Sequence, residues 1–444
     1  VSHGVVWFRN DLRLHDNPAW GEATSEHDRV TALFIIDPAV WDTAPAGRVR
    51  RLAAHLTALD FQLAARGGRL RVERGAPDHT VPRVAGTDTV YWNSDVTAYA
   101  ERRDRSVSSA VMSVIHHGRW IVPVGSVRTG EAGPYRLFTP FHRRWQEAPR
   151  DPWPMAGDAQ LSDFPGRGVP PADPSDAGER AARVRLERFL DVVDDYPARR
   201  DLPAVAGTSR LSEDLKFGTI SPREIEREVG SGTPGRAAFV RQLAWREFCA
   251  QLLAAFPDLR TRELRGEYSS IRWRNDAAEI TAWKSGRTGY PIVDAGMRQL
   301  AGEGWMHNRV RMLTASFLIK DLLVDWRVGE RHFRDLLHDY DPAQNAANWQ
   351  WVAGTGADAA PYFRVFNPVT QGRKFDPDGE YVRRWIPELA GVAGAAIHAP
   401  WELGPLELAA AGVTLGDAYP APIIDHATAR QDAIAAYETA RGSA

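Results

Sequence analysis

The sequence predicts an α/β N-terminal domain built on a parallel, Rossmann-like sheet, followed by an all-α C-terminal domain. Three observations predict it. Short apolar runs alternate with helical periodicity over residues 1–128. A stretch rich in Pro, Gly, Asp and Ala occupies 129–180. Strand signals then vanish, and helical patterns dominate 181–444.

In chain order, Gly4–Phe8 reads as a buried strand that ends in the polar turn Arg9–Arg13. Val30–Ile36 is a second strand, closed by Asp37-Pro38. Arg48–Arg66 carries Leu52, Leu56, Leu59 and Leu63 at the spacing of one helix face, and Gly67-Gly68 stops it. Arg69–Glu73, Thr89–Trp92 and Trp120–Val124 supply three more strands. No GxGxxG follows the first strand, so an ordinary dinucleotide site is not indicated. Ala148–Pro154 marks the connector as partly extended. Beyond it, Arg236–Phe256, Asp276–Lys284, Ile292–Gly302 and Asn308–Asp325 read as helices.

Composition narrows the function classes. A single cysteine, Cys249, excludes an internal disulfide framework, a four-cysteine zinc site and a four-cysteine iron–sulfur cluster. No segment reaches the ~18 continuous apolar residues of a membrane span, and no leader-like pattern precedes the first strand. The expected setting is cytoplasmic, with no membrane partner, and the expected state is a monomer. A net charge of −2 means that any nucleic-acid binding must use a local basic face. The 16 tryptophans are the sharper signal, since several stand in Arg-rich polar contexts where packing alone explains them poorly.

Hydrolytic motifs are absent: there is no G-x-S-x-G, H-E-x-x-H or P-loop. His116, His117 and His307 lack partners at metal-ligand spacing, so no metal is expected. The segment Asp339–Trp351 (DYDPAQNAANWQW) places two acids and an amide before a Trp pair, and the arginines of His307–Met312 (HNRVRM) are its counterpart. Such residues fit either an Arg–Asp network that caps helices or the donor and acceptor set of a buried heteroaromatic ring.

Long motifs add a resemblance. Trp283–Leu300 (WKSGRTGYPIVDAGMRQL), Gly304–Arg327 (GWMHNRVRMLTASFLIKDLLVDWR) and Asp358–Gln371 (DAAPYFRVFNPVTQ) resemble the flavin-domain signatures of the DNA photolyase/cryptochrome family. Gly207–Ser212 (GTSRLS), Leu243–Phe248 (LAWREF) and Val6–Pro18 (VWFRNDLRLHDNP) do the same, in order, over residues 4–390. The chain is most similar to the bacterial class I cyclobutane-pyrimidine-dimer photolyases.

The resemblance implies an FAD held by the C-terminal helical domain. Tyr196, Thr208, Ser209, Arg210, Leu211 and Ser212 are then pyrophosphate ligands, through hydroxyl and backbone N–H donors. Arg246 and Arg311 lie near the flavin, Arg311 pairs with Asp339, and Asp341 accepts from the flavin imide. Asn345 faces the ring nitrogen that gains a proton on reduction, and an amide oxygen can accept there without burying a charge. Trp349, Trp326 and Trp273 match the family's electron relay. Gln242, Trp245, Asn308, Met312 and Trp351 match the wall that receives a base pair flipped out of ultraviolet-damaged DNA. Arg260, Arg262, Arg265, Arg272 and Arg274 form a basic stretch suited to phosphates, or a solvated helix face.

Phe34, Arg48, Asp104 and Lys216 match a second, light-harvesting site. They imply 8-hydroxy-5-deazaflavin, with 5,10-methenyltetrahydrofolate as the alternative. The expected activity is light-driven repair of cyclobutane pyrimidine dimers, as a carbon–carbon lyase. A blue-light photoreceptor of the cryptochrome kind and a (6-4) photoproduct repair enzyme are the rivals. Gln242 stands where cyclobutane-dimer enzymes usually carry Glu, whereas Asn308 and Met312 replace the His pair typical of (6-4) enzymes.

Overall fold

The computed structural model describes residues 1–164 and 168–442. The chain packs as two compact units. The first is assembled from Val1–Tyr196, Ser209–Pro257 and His338–Ala343; the second from Pro197–Thr208, Asp258–Leu337 and Gln344–Ala444.

In the first unit a parallel sheet runs in the order β3-β2-β1-β4-β5, formed by Leu70–Arg74, Arg29–Ile36, His3–Phe8, Thr89–Asn93 and Ser113–His116. The two-residue strand β6, Gln160–Leu161, adds to β2. Register is set by the central pair, Val5 opposite Thr31 and Val6 opposite Ala32 on β2, with Val5 also opposite Val90 on β4. Both faces of these strands are buried, so β1 and β2 read as continuous apolar runs rather than alternating ones. One face packs Val6, Phe8, Phe34, Leu56, Leu59 and Leu63; the other packs Val5, Trp7, Leu33, Val90 and Trp92.

Two departures from expectation lie in this unit. Trp120–Val124 is a loop, although Trp120, Ile121 and Val122 are buried. Its backbone groups are satisfied by side chains instead of a strand ladder: Glu247 accepts from the N–H groups of Ile121 and Val122, and Arg223 Nε donates to the Ile121 carbonyl at 2.9 Å. The fifth strand is Ser113–His116, whose partly exposed residues give it no apolar run to read. The connector is also more ordered than its composition suggests, since Phe138–Glu147 is a helix whose Phe138, Phe141 and Trp145 are buried.

The turn after β1 is pinned from inside. Arg13 is fully buried and donates to the carbonyls of Asp16, Gly118 and Gly218. Gly218 caps the helix Ser212–Phe217 at φ 68°, and a Cβ there would stand 2.2 Å from the Asn10 carbonyl oxygen. Only glycine allows both the left-handed backbone and that approach.

The second unit is helical. Its principal elements are Ala277–Lys284, Pro291–Glu303, Asn308–Ser316, Trp326–Leu336 and His426–Gly442. The expected helix Asn308–Asp325 stops early: an α-helix to Ser316 passes into a π-turn at Phe317–Asp321, and Leu323 adopts φ 48°. The residues beyond Ser316 stay buried, which is why the apolar pattern ran on. Lys320, in that π-turn, donates to the carbonyls of Ala353 and Tyr362 and lies 3.5 Å from the Tyr437 ring centroid, which fixes the helix His426–Gly442. Among the described residues no helix is long and apolar enough to cross a membrane.

Candidate functional site

In the first unit the helix Pro234–Ala255 carries Gln242, Trp245, Arg246 and Glu247. Thr233 caps its start and Pro234 opens its first turn. Trp245 is half-buried, and Phe138 stacks on it with ring centroids 3.8 Å apart and planes 7° apart. One indole face is therefore already covered. Gln242 turns its amide N–H back to the Ala238 carbonyl at 3.3 Å. Tyr196 packs edge-on to Phe189 and Phe239.

Glu247 is a buried acid of this unit. Besides the two loop N–H groups it accepts from the Trp145 indole N–H at 2.7 Å. Burial pushes its carboxyl up to about 7, although the indole, both backbone donors and Arg246 pull the other way.

Arg246 sits over the Trp120 ring at 4.4 Å and donates to the carbonyls of Arg119 and Leu215. Arg119 pairs with Asp95 and reaches to 4.0 Å from Asp341. Asp341 accepts from the Ala343 N–H at 2.9 Å at the head of the helix Pro342–Ala353, and Asp339 is buried two residues before it. Burial drives the Lys216 ammonium down to about 8, opposed by Asp341 and Asp95 and helped by Arg119 and Arg48. Arg48 lies over the Tyr340 ring at 4.8 Å. Asp104 is engaged by Arg9 and Arg103, and Phe34 is in the sheet core against Phe217. Of the four residues expected at the light-harvesting site, Arg48 and Lys216 thus share one charged cluster, while Asp104 and Phe34 have other structural partners.

The residues expected to hold the pyrophosphate straddle the division of the chain: Thr208 belongs to the second unit, and Ser209, Arg210, Leu211 and Ser212 to the first. Arg210 takes φ 57°, a strained left-handed conformation for a side-chain-bearing residue, and the Ser209 hydroxyl accepts from the Leu211 N–H.

In the second unit Asn308 and Met312 are one helical turn apart and in contact, with Nδ2 3.8 Å from the sulfur. Trp351 is half-buried. Arg311 donates to the Met306 carbonyl at 2.7 Å. Asn345 is 8% exposed, and its Nδ2 donates to the Glu330 carbonyl at 3.0 Å. This bond commits the Asn345 amide nitrogen and leaves the amide oxygen as the group still able to accept.

The three tryptophans grade in exposure: Trp349 and Trp326 are buried and Trp273 is half-buried. None is in ring contact with another. Trp349 packs edge-on to Phe333 at 5.0 Å and to Trp283 at 6.3 Å; Trp326 lies under Arg327 at 4.9 Å, with its N–H toward Glu263; Trp273 meets Tyr437 at 6.2 Å. Gly329 is needed beside this set, because a Cβ there would lie 2.0 Å from the Trp349 ring.

The basic stretch is largely neutralised by local acids. Arg260 pairs with Glu330, Arg262 with Asp258, Arg265 with Glu267 and Arg274 with Glu279, while Arg272 is exposed. A cleft of about 670 Å³ elsewhere in the unit is lined by Arg309, Arg364, Lys374, Thr370 and Gln371. Arg309 is fixed in it by Asp201 at 2.8 Å and by the Phe375 ring. Sequence reading missed this cleft, and it also missed Arg119, Glu247, Phe138 and Gly329. Two quoted motifs supply part of its lining, Gly304–Arg327 through Arg309 and Asp358–Gln371 through Arg364, Thr370 and Gln371.

Comparison with known proteins fits this geometry. Residues 4–158 match the family profile described as DNA photolyase, and residues 239–439 match the FAD binding domain of DNA photolyase. The chain is 46% identical over 469 residues to the deoxyribodipyrimidine photo-lyase of Streptomyces griseus, covering 100% of both. Its fold is similar to the crystal structure of a bacterial class III photolyase from Agrobacterium tumefaciens, with TM-score 0.92, 38% identity and coverage of 100% and 98%. It is also similar to an archaeal photolyase from Sulfolobus tokodaii that holds two FAD molecules, with TM-score 0.87, 34% identity and coverage of 98% and 100%.

Proposed function

Because this chain belongs to the DNA photolyase family, we propose that it is a deoxyribodipyrimidine photo-lyase that splits cyclobutane pyrimidine dimers in ultraviolet-damaged DNA. FAD is its cofactor. When bound, the reduced flavin supplies on illumination the electron that opens the cyclobutane ring and recovers it afterwards. The protein contributes position, charge and exclusion of water.

Full-length identity to photo-lyases carries the reading, and the orientation of Asn345 supports its flavin part. With Nδ2 spent on the Glu330 carbonyl, the Asn345 oxygen is the acceptor that a protonated ring nitrogen requires. Asp341 supplies an acceptor for the imide N–H, and Arg246 and Arg311 supply positive charge. Tyr196 and Thr208–Ser212 hold the pyrophosphate. Gln242, Trp245, Asn308, Met312 and Trp351 receive the lesion. Since Phe138 covers one face of Trp245, a flipped base stacks on the other. The cleft of Arg309, Arg364 and Lys374 suits the phosphates of the DNA backbone, with Arg272 as an outlying contact.

The antenna is 8-hydroxy-5-deazaflavin, with 5,10-methenyltetrahydrofolate second. Arg48 and Lys216 support an anionic chromophore; the engagement of Asp104 by two arginines gives it no lesser claim to a structural role. The enzyme acts as a cytoplasmic monomer. Assignment to class I does not rest on these matches, one of which is a class III photolyase.

Asn308 and Met312 favour the cyclobutane dimer over the (6-4) product. Repair of the latter moves a hydroxyl or amino group between bases and needs a general acid, which neither side chain provides. The deciding experiment exposes oligonucleotides carrying each lesion separately to the protein, with and without blue light. Light-dependent loss of the cyclobutane dimer is expected. Repair of the (6-4) product alone, or of neither, refutes the reading.

A further inference from the structure

Arg119 has no place in the motifs, yet it joins two carboxylates that the chain brings together from distant positions. It is 4% exposed, pairs with Asp95 at the end of β4, and turns Nη2 toward Asp341 at 4.0 Å. Its Nε and Nη2 are buried and make no hydrogen bond. Leaving two guanidinium donors unused in a buried setting is costly. Around Asp95 and Asp341 stand Arg119, Lys216 and Arg246, with Arg9, Arg48 and Glu247 also within electrostatic reach of the cluster. Burial opposes a charge on Asp95, but Arg119, Lys216 and Arg9 outweigh it and hold that carboxyl well below its usual range. Asp95 is thus a permanent anchor for Arg119.

We propose that Arg119 is a positioning residue for the flavin: it fixes the Asp341 carboxylate that accepts the imide N–H and adds positive charge beside it, which favours the reduced, anionic cofactor. The inference rests on the reading that Asp341 is a flavin ligand. Asp341 is held on one side by the helix N–H of Ala343 and approached on the other by Arg119. A carboxylate steered from two sides keeps one orientation for a third donor. The positive charge acts on the electrons that enter the ring system, since reduction adds negative charge to the flavin and nearby cations stabilise it.

The test is a redox titration of flavin-loaded wild type, Arg119→Lys, Arg119→Gln and the double variant Arg119→Gln/Asp95→Asn, with FAD affinity measured by reconstitution after flavin removal. The double variant removes the buried carboxylate that Arg119→Gln would strand, and so keeps the protein folded. Arg119→Gln is expected to have a lower midpoint potential, the double variant, which loses one charge of each sign, a smaller fall, and both about tenfold weaker FAD binding. Arg119→Lys, which keeps the charge, stays near the wild-type potential. A wild-type potential in Arg119→Gln, or wild-type FAD affinity in the double variant, overturns the proposal, and so does an equal fall in the Lys and Gln variants, which would mark a packing effect. Asp341→Ala separates the two layers. If it retains FAD as wild type does, the flavin reading of Asp341 fails; if it loses FAD while both Gln variants match wild type, only the role of Arg119 fails.

Discussion

Two regions hold their key side chains in opposite ways. In the first unit, the segment Arg119–Val122 is fixed by directional, charge-assisted bonds: Glu247 on its N–H groups, Arg223 and Arg246 on its carbonyls. In the second unit, Trp349 is fixed by shape, wedged among Phe333, Trp283 and the bare backbone of Gly329. The first region should therefore respond to charge and pH, and the second to volume. Electrostatic placement suits groups that must meet a polar ligand at a set angle. Steric placement suits a ring that only has to keep its distance.

Glu247→Ala tests the first half most severely. It leaves two backbone donors and an indole N–H buried without their acceptor, so a stability loss of roughly 3 kcal/mol or more is expected in urea unfolding. A loss below roughly 1 kcal/mol would show that the loop is held by packing, and the contrast would collapse. Gly329→Ala probes the second half. Its methyl group must displace the Trp349 ring, for an expected cost of roughly 1–3 kcal/mol, together with slower photoreduction of the oxidised flavin. Unchanged photoreduction would argue that the ring's position is immaterial.

The pH dependence sharpens the difference further. Glu247 titrates near 7 in the folded protein against an ordinary value of 4.5. Between those values the folded state binds more protons than the unfolded chain, so stability falls as pH rises from 4.5 through 7. Glu247→Gln should flatten that slope, and Gly329→Ala should leave it as in wild type. The smallest effect concerns DNA. Arg272→Gln should reduce the salt slope of binding by about one unit. Arg274→Gln should reduce it by less, because Glu279 already occupies that guanidinium. Equal slopes for the two variants would remove any distinction between paired and unpaired arginines on this surface.

Legibility followed the same division. Strands buried on both faces announced themselves as apolar runs, and Gly4–Phe8 and Val30–Ile36 were read nearly to the residue. Trp120–Val124 looked the same in sequence, because apolarity reports burial and not the partner that takes the backbone bonds. That partner, Glu247, is more than a hundred residues away in the chain. The apolar run through Leu318–Val324 concealed the end of a helix for a related reason, since neither Gly nor Pro marks the turn at Leu323. Met312 stands inside a long motif and Asn345 in the acid-and-amide segment Asp339–Trp351, so both could be singled out from sequence as candidates. Arg119 lies outside every motif, and its meaning depends on Asp95 and Asp341, which only the folded chain assembles.

The three-part construction of the first unit has a consequence for how the chain can be divided and completed. Asp341 follows Arg119 by 222 positions (341 − 119), and the second unit's Asp258–Leu337 stands between the first unit's last two stretches. No single cut releases the first unit intact, and a fragment ending at Tyr196 would keep Arg119 and Asp95 while lacking Lys216, Arg246 and Asp341. During folding, the parallel sheet can form from early chain, but the charge cluster must wait for a closure of long sequence separation, the kind of contact that slows folding. The sheet should gain protection from hydrogen exchange before the Arg119 segment does, so that the region most concerned with the cofactor is the last part of its unit to settle.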